Sequence, residues 1–287
     1  MSKTIFIILD GCSFEAATDH LGVAEHLVEA GMGAKYKVLS ELPSSSRPLY
    51  ETLFTGLPVN RHGIYSNLVV KKSTNQNLFQ LCKENLLTTA ASAYYWVSEL
   101  YVEAPFDVFR HRIQLDLGAE NLISPKSIDY GMYYYEDAYP DSHVFSDGEF
   151  LRNSFDPDFL VIHSMNIDDA GHKSATNKRE YLESAAKVNL VMSCLLADWI
   201  ESGYQVVITS DHGMNEYGFH GGNTLDQRLV PLYLFGNRVK KGVFCENTIS
   251  QLSVAPLLCR LLEIQPSAVM KNLVELGVDF FESEEKK

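Results

Sequence analysis

The chain has 287 residues, of which 46% are hydrophobic and 21% are charged, and its formal net charge at pH 7 is −13. This length and composition are typical of one large globular domain with a substantial core. The negative charge argues against a general nucleic-acid binder, which needs a basic face. Five scattered cysteines without a Cys-x-x-Cys pair indicate reduced core residues and argue against a disulfide framework or a zinc–thiolate site.

The first predicted element is a strand that begins almost at the N-terminus. Residues 4–9 form a continuous apolar run, which is typical of a strand buried on both faces of a parallel sheet, and the run ends at the turn Asp10-Gly11. No apolar segment precedes it that is long enough for a signal peptide or a membrane span. We therefore expect a cytoplasmic protein without a membrane partner.

Helical and strand patterns then alternate along the chain. Helices are predicted at about 21–30, 178–202 and 250–263, with a short helix that follows residues 43–48 and ends at Gly56, and strands at about 36–39, 159–164, 204–210 and 230–235. This alternation predicts an α/β fold with a mostly parallel central sheet and helices on both of its faces.

Between about residues 97 and 156 the periodic pattern weakens, and tyrosines, prolines and aspartates become frequent. These residues could form surface loops. We favour an inserted cap over the active site, because irregular aromatic-rich segments on α/β scaffolds tend to determine specificity.

Carboxylate, imidazole and hydroxyl side chains recur at or just beyond the predicted strand ends, where open α/β sheets concentrate their chemistry. Carboxylates and neutral imidazoles are the ligands that a catalytic transition metal prefers. Each residue alone has an ordinary explanation, as a turn aspartate, a helix cap or a loop histidine, but their joint occurrence favours a metal site. The other histidines, His163 among them, are interpreted as surface or core residues. The candidates are Asp10, Ser46, Asp168, His172, Asp211, His212 and His220.

In these segments the chain resembles the alkaline phosphatase superfamily, and most closely its nucleotide pyrophosphatase/phosphodiesterase group. The resemblance covers most of the chain. The nucleophile signature reads Ser46-Arg-Pro48, then Leu53-Phe-Thr-Gly56, Pro58 and His62-Gly-Ile64. The metal signatures are matched by Asp168-Asp-Ala-Gly-His172 and Ser210-Asp-His-Gly-Met214.

The resemblance implies one alkaline-phosphatase-like catalytic domain over residues 1–287 that carries two divalent metal ions. Zinc is preferred because histidines favour a borderline metal, and Mn²⁺ is the alternative. One ion would be held by Asp168, His172 and His220, and the other by Asp10, Asp211 and His212 with the Ser46 oxygen beside it. His220 lies only eight residues beyond His212, a shorter spacing than is usual in this group.

Two further residues follow from the same motifs. Asn67 falls where the phosphodiesterase group keeps an asparagine that binds the developing negative charge. Arg47, directly after the candidate nucleophile, is a candidate substrate contact.

The implied function is a metal-dependent phosphoric ester hydrolase that acts on a small-molecule phosphate ester through a phosphoseryl intermediate at Ser46. The physical basis is that a bound cation lowers the pKa of the serine hydroxyl, while a helix N-terminus binds phosphate oxygens.

A phosphonate hydrolase or a phosphomonoesterase is the alternative function. A sulfatase is less favoured because Tyr50 stands where its motif requires Arg. A phosphomutase would usually have a larger substrate domain, and a non-catalytic protein would be expected to lack a ligand or the nucleophile. The oligomeric state cannot be inferred.

Overall fold

The computed structural model describes residues 2–116, 127–174 and 179–282. Within these ranges the strands are β1 (Lys3–Leu9), β2 (Gly33–Leu39), β3 (Thr89–Tyr94), β4 (Ile113–Leu115), β5 (Tyr130–Tyr134), β6 (Phe159–Ser164), β7 (Tyr204–Thr209), β8 (Leu229–Phe235) and β9 (Gly242–Ser250). They form one sheet in the order β4-β5-β3-β6-β1-β7-β8-β2-β9.

The helices of the same ranges flank this sheet. They are α1 (Phe14–His20), α2 (Gly22–Glu29), α3 (Ser46–Thr55), α4 (Val59–His62), α5 (Leu78–Glu84), α6 (Tyr95–Tyr101), α7 (Val108–His111), α8 (Asp141–Phe155), α9 (Asn166–Ser174), α10 (Arg179–Ser193), α11 (Leu196–Glu201), α12 (Leu225–Arg228) and α13 (Val254–Leu261). None of these helices combines the length and the apolar character that crossing a bilayer requires.

The sheet is mostly parallel, as predicted. Strand β1 pairs in parallel with β6 and β7, and β3 pairs in parallel with β6 and β5. Strand β8 runs antiparallel to both of its neighbours, β7 and β2, and β4 runs antiparallel to β5. The predicted α/β fold class is therefore confirmed.

Strand β1 lies in the middle of the sheet and is covered on both faces. Phe6 and Ile8 belong to one hydrophobic core, whereas Ile5, Ile7 and Leu9 belong to the core on the opposite face. Each such fully buried side chain contributes about 1.5–3 kcal/mol. This burial on two faces explains the uninterrupted apolar run and holds the end of β1 rigidly.

Two predicted helices differ from the observed ones. The helix predicted at about 178–202 is divided into α10 and α11, because short i→i−3 hydrogen bonds at Cys194 and Leu195 tighten the chain and end α10. The break lets Leu196 and Trp199 reach the core. The helix predicted from residue 250 begins with a 3₁₀ turn at Gln251–Ser253 before α13. Helix α1 was not predicted.

The stretch from about 97 to 156 contributes to the main sheet where the structure describes it. Strand β5 pairs with β3, and α8 packs against β3 and β6. The weak sequence pattern therefore reflects short elements at one edge of the sheet. Residues 117–126 of this stretch lie outside the described ranges, and the role of a cap over the site stays a prediction.

Candidate metal centre

Three adjacent strands bring the candidate ligands to one edge of the sheet. Asp10 directly follows β1, and the pair Asp211 and His212 follows β7, next to Ser210. Asp168 and His172 lie one turn apart on α9, which begins just after β6. Because β6, β1 and β7 are neighbours and run in parallel, these side chains meet outside the carboxyl ends of the strands.

The six predicted ligands form two groups of three, and within each group the ligand atoms lie within 4.8 Å of one another. The buried group consists of Asp10, Asp211 and His212, whose side chains are fully inaccessible to solvent. The outer group consists of Asp168, His172 and His220, and 43% of the His172 side chain is exposed. The two groups adjoin, since the rings of His212 and His220 stack with their centroids 3.8 Å apart.

All three histidines are oriented in the same way by the backbone. The Nδ1 atom of each lies 2.9 Å from a carbonyl oxygen, that of Gly218 for His172, Gly213 for His212 and Ser44 for His220. A carbonyl oxygen can only accept, so Nδ1 carries the proton. In the neutral ring the Nε2 lone pair is then available to a metal, the arrangement that metal-binding histidines commonly show.

Short loops explain how His220 reaches the site from only eight residues beyond His212. The Ser44 hydroxyl donates to the Gly222 carbonyl and accepts from the Gly221 amide. The loop that carries His220 is therefore tied to the serine-rich segment that leads into α3.

Each carboxylate of the two groups has one buried oxygen without a hydrogen-bond partner in the described part of the chain: Asp10 Oδ1, Asp168 Oδ1 and Asp211 Oδ2. Burial, reinforced by neighbouring carboxylates, raises the pKa of Asp10 and of Asp211 well above the ordinary value. Unpaired buried carboxylate oxygens are costly unless a cation neutralises them. The donor set therefore fits divalent metal ions.

The histidines differ in their protonation. Burial lowers the pKa of His212 and of His220 to about 3, so both rings are neutral at pH 7 and can act as ligands. The hydrogen bond to Asp168 raises the pKa of His172 to about 9. A cation in the outer group would therefore compete with a proton at His172.

Ser46, the candidate nucleophile, is the first residue of α3 and is almost completely buried. Its Oγ lies 3.1 Å from His212 Nε2, directly beside the buried group. Ser45 occupies the N-cap position but makes no side-chain capping bond. Ser46 therefore lies at the positive end of the helix dipole, where the next residue's amide, that of Arg47, already donates to Asn67 and Pro48 has no N–H.

Asn67 lies beside the nucleophile, because its Oδ1 accepts a hydrogen bond from the Arg47 amide at 3.0 Å. The prediction that the Arg47 side chain contacts the substrate needs correction. Its guanidinium is buried, pairs with Glu99 Oε2 at 2.7 Å and donates to the Val69 carbonyl at 2.8 Å. Burial and this ion pair turn it inward, where it holds the loop that carries Asn67.

Sequence analysis missed two side chains that hold Asp10. The Tyr50 hydroxyl donates to Asp10 Oδ2, and His163 Nε2 lies 3.1 Å from the same oxygen. His163 had been interpreted as an ordinary surface or core residue. The available signal was its position, since it is the one histidine within β6, whose residues are all buried.

Comparison with known proteins decides the family. A family model described as type I phosphodiesterase / nucleotide pyrophosphatase matches residues 4–233. The chain belongs to this family. The match confirms the resemblance stated from the sequence motifs and makes the chain a member of a family of phosphoester-cleaving enzymes.

The curated relatives are larger proteins. GPI ethanolamine phosphate transferase 2 of Debaryomyces hansenii is 29% identical over 119 residues, which are 37% of this chain and 14% of that protein. The catalytic subunit of human GPI ethanolamine phosphate transferase 3 is 28% identical over 111 residues, 37% of this chain and 10% of that protein. The chain thus matches only a small part of the length of these relatives.

The solved structures show the fold over nearly the whole chain. Human ectonucleotide pyrophosphatase / phosphodiesterase 5 superposes with a TM-score of 0.74 at 13% identity, covering 98% of this chain and all of that one. An inactive variant of the murine protein, in complex with AMP, gives a TM-score of 0.72 at 12% identity with the same coverage.

Proposed function

We propose that the chain is a metal-dependent phosphoric ester hydrolase of the phosphodiesterase/nucleotide pyrophosphatase type that uses Ser46 as its nucleophile. The proposal depends on one observation above all. The three aspartates and three histidines form two adjoining groups, each aspartate has a buried oxygen without a hydrogen-bond partner among the described residues, and the buried group lies beside the Ser46 hydroxyl. Two divalent cations fit this donor set, with zinc preferred over Mn²⁺ because half of the six ligands are imidazoles.

The buried group would hold one ion and the outer group the other. When bound, such ions supply positive charge that lowers the pKa of a serine hydroxyl and neutralises phosphate oxygens. Ser46 Oγ then forms a bond to phosphorus while the bond to the leaving alkoxide breaks. Water afterwards cleaves the phosphoseryl bond and restores the serine.

The N-terminus of α3 and Asn67 support this step. At the start of α3 the Arg47 amide donates to Asn67 and Pro48 has no N–H, so the Ser46 amide and the helix dipole are what can attract an anion. Asn67 Oδ1 is occupied by the Arg47 amide, which leaves the Nδ2 hydrogens as the donors available to a phosphate oxygen. Such donors stabilise charge that develops as the phosphorus–oxygen bonds rearrange.

A nucleotide-type phosphate ester is the first substrate to test, because the murine structural relative is in complex with AMP. Phosphonates and phosphate monoesters remain the alternative substrates within the same chemistry. Metal ligands alone do not select among these classes, since the surrounding pocket sets the preference.

Transfer to an alcohol is a second candidate function, because the curated relatives named above are ethanolamine phosphate transferases. The same phosphoseryl group could be attacked by an alcohol in place of water. The exposure of His172 opens the outer group to solvent and favours water as the acceptor. Phosphorus NMR in the presence of ethanolamine or glycerol distinguishes the two, and an alkyl phosphate product would support transfer.

The direct test of the proposal uses Ser46→Ala with Ser45→Ala as the matched control. We expect wild type and both variants to bind about two metal ions each. Ser46→Ala should lose nitrophenol release from mono- and bis-nitrophenyl phosphate by at least about a thousand-fold, because the nucleophile is absent. Ser45→Ala should remain close to wild type. Wild-type turnover by Ser46→Ala would contradict the proposal, as would purified wild-type protein that binds no metal.

A further inference from the structure

Asp10 receives two hydrogen bonds at one of its carboxylate oxygens and none at the other. Tyr50 and His163 both contact Oδ2, whereas Oδ1 has no hydrogen-bond partner within the ranges that the structure describes and lies 3.5 Å from His212 Nε2. All three side chains of this Tyr50–Asp10–His163 cluster are fully buried.

The proton positions in the cluster follow from its neighbours. The backbone amide of Tyr94 donates to His163 Nδ1 at 3.4 Å, so Nδ1 is an acceptor in the neutral ring. His163 Nε2 therefore carries the proton and donates it to Asp10. Because a tyrosine hydroxyl also donates to a carboxylate, Oδ2 is engaged by two donors.

We propose that Tyr50 and His163 are positioning residues that make Asp10 a ligand through a single oxygen, Oδ1. Two donors on Oδ2 fix the rotation of the carboxylate and compete with any metal for that oxygen. Oδ1 is left to face His212, another member of the buried group. Hydrogen bonds to the outer atoms of a ligand commonly tighten metal binding, and their loss costs about 10–100-fold in affinity.

The inference rests on the proposed metal centre and concerns only one of its two ion sites. Among the described residues no hydrogen bond from Tyr50 or His163 reaches an outer-group side chain. Removing either contact should therefore weaken zinc binding at the buried group and leave zinc binding at the outer group unchanged. Substitution of a residue that only stabilises the fold would change the zinc affinity of both sites or of neither.

The test compares Tyr50→Phe and His163→Leu, neither of which can donate to Asp10, with Tyr133→Phe. Tyr133 is the matched control, since its buried hydroxyl has no hydrogen-bond partner among the described residues. Zinc is titrated into the chelator-stripped proteins in competition with a chelating dye, and the folding of each apo variant is checked by thermal melting. In parallel, the same three changes are made on a His172→Ala background, which removes a ligand from the outer group.

We expect wild type to bind two zinc ions. Tyr50→Phe and His163→Leu should each raise one of the two dissociation constants by about 10–100-fold, while Tyr133→Phe stays within about two-fold. On the His172→Ala background, the same changes should weaken zinc binding at the buried group, which is the site that keeps all of its ligands.

The outcomes separate the two proposals. Wild type that binds two ions, with variants that bind them equally well, would overturn the positioning role and leave the proposed function intact. Equal weakening of both sites would overturn it as well. Wild type without metal would instead overturn the proposed function. If Tyr50→Phe does not fold, His163→Leu is compared with Tyr133→Phe, both in the wild-type protein and on the His172→Ala background.

Discussion

Asp10 and Asp211 are carboxylates that the fold removes completely from water. Their types and their positions after apolar runs could be recognised in the sequence, because several such residues together at the carboxyl ends of strands lie where α/β sheets bind their ligands. The contacts that hold Asp10 in place could not be recognised in the sequence. Tyr50 and His163 reach Asp10 from α3 and β6, and no local spacing indicates such long-range partners.

Metal removal should lower the melting temperature at neutral pH, and zinc should restore it, since an ion that binds only the folded state stabilises that state. The pKa of Asp10 and Asp211 is raised in the folded apo protein, so apo stability falls as pH rises above the ordinary aspartate value of about 4. The gap between apo and zinc-loaded melting temperatures should therefore widen from acid to neutral pH. Scanning calorimetry with and without chelator measures it. An unchanged melting temperature after chelation at neutral pH would count against this prediction.

His62 should make the protein sensitive to acid. Its Nδ1 accepts from the Ile64 amide at 3.1 Å, and burial, helped by the charge of Lys71, lowers its pKa to about 4. Because the folded pKa lies below the ordinary value of about 6.5, the stability it contributes is complete above that value and falls as pH drops towards 4. The loss should be on the order of 2 kcal/mol.

Urea unfolding of the chelated protein between pH 7 and 4.5 tests this expectation. His62→Gln cannot be protonated and should show a shallower decline in unfolding free energy than wild type. His26→Gln is the control, because His26 is an exposed histidine on α2. Parallel pH profiles for wild type and His62→Gln would show that His62 is not the group responsible.

At the scale of elements, the turn after β1 illustrates what the sequence signals well. Asp10-Gly11 could be recognised as a turn, and Gly11 has a φ of +71°. The sequence did not indicate which residue packs against this turn. A Cβ at Gly11 would lie 2.8 Å from Asp168, so this turn packs directly against α9.

Gly11→Ala should therefore weaken zinc binding as well as stability, because the added methyl group pushes against the Asp168 ligand. Gly31→Ala provides a matched control, since Gly31 has a φ of +73° but no atom within 4 Å of an added Cβ. Backbone strain alone costs about 1–3 kcal/mol in both variants. Zinc titration and urea unfolding should show the additional loss only for Gly11→Ala. Equal zinc affinity in the two variants would refute the proposed contact.

Helix boundaries were less predictable than helix existence. The apolar spacing from about 178 to 202 is continuous in sequence, yet the chain breaks near Leu195 so that Trp199 can pack in the core. Tertiary packing decided this break, and a spacing pattern does not contain it.

At the scale of the whole molecule, the parallel centre of the sheet was predictable because strands buried on both faces must be apolar throughout. The edges were not. Strands β4 and β5 at one edge are short. Inside the sheet, β8 runs antiparallel to both β7 and β2, although its apolar run resembles those of the parallel strands. The same limit applies to the substrate, since the residues that would select it belong to surface segments whose packing no periodicity describes.

The two-ion centre is tested most directly by a crystal structure of the zinc-loaded protein with anomalous data collected at the zinc absorption edge. Two peaks should appear about 3.5–4 Å apart, one bounded by Asp10, Asp211 and His212 and the other by Asp168, His172 and His220. The Asp10 contact should be made by Oδ1 alone. Full zinc loading without a peak at either group, or with peaks only elsewhere on the protein, would contradict the proposed site.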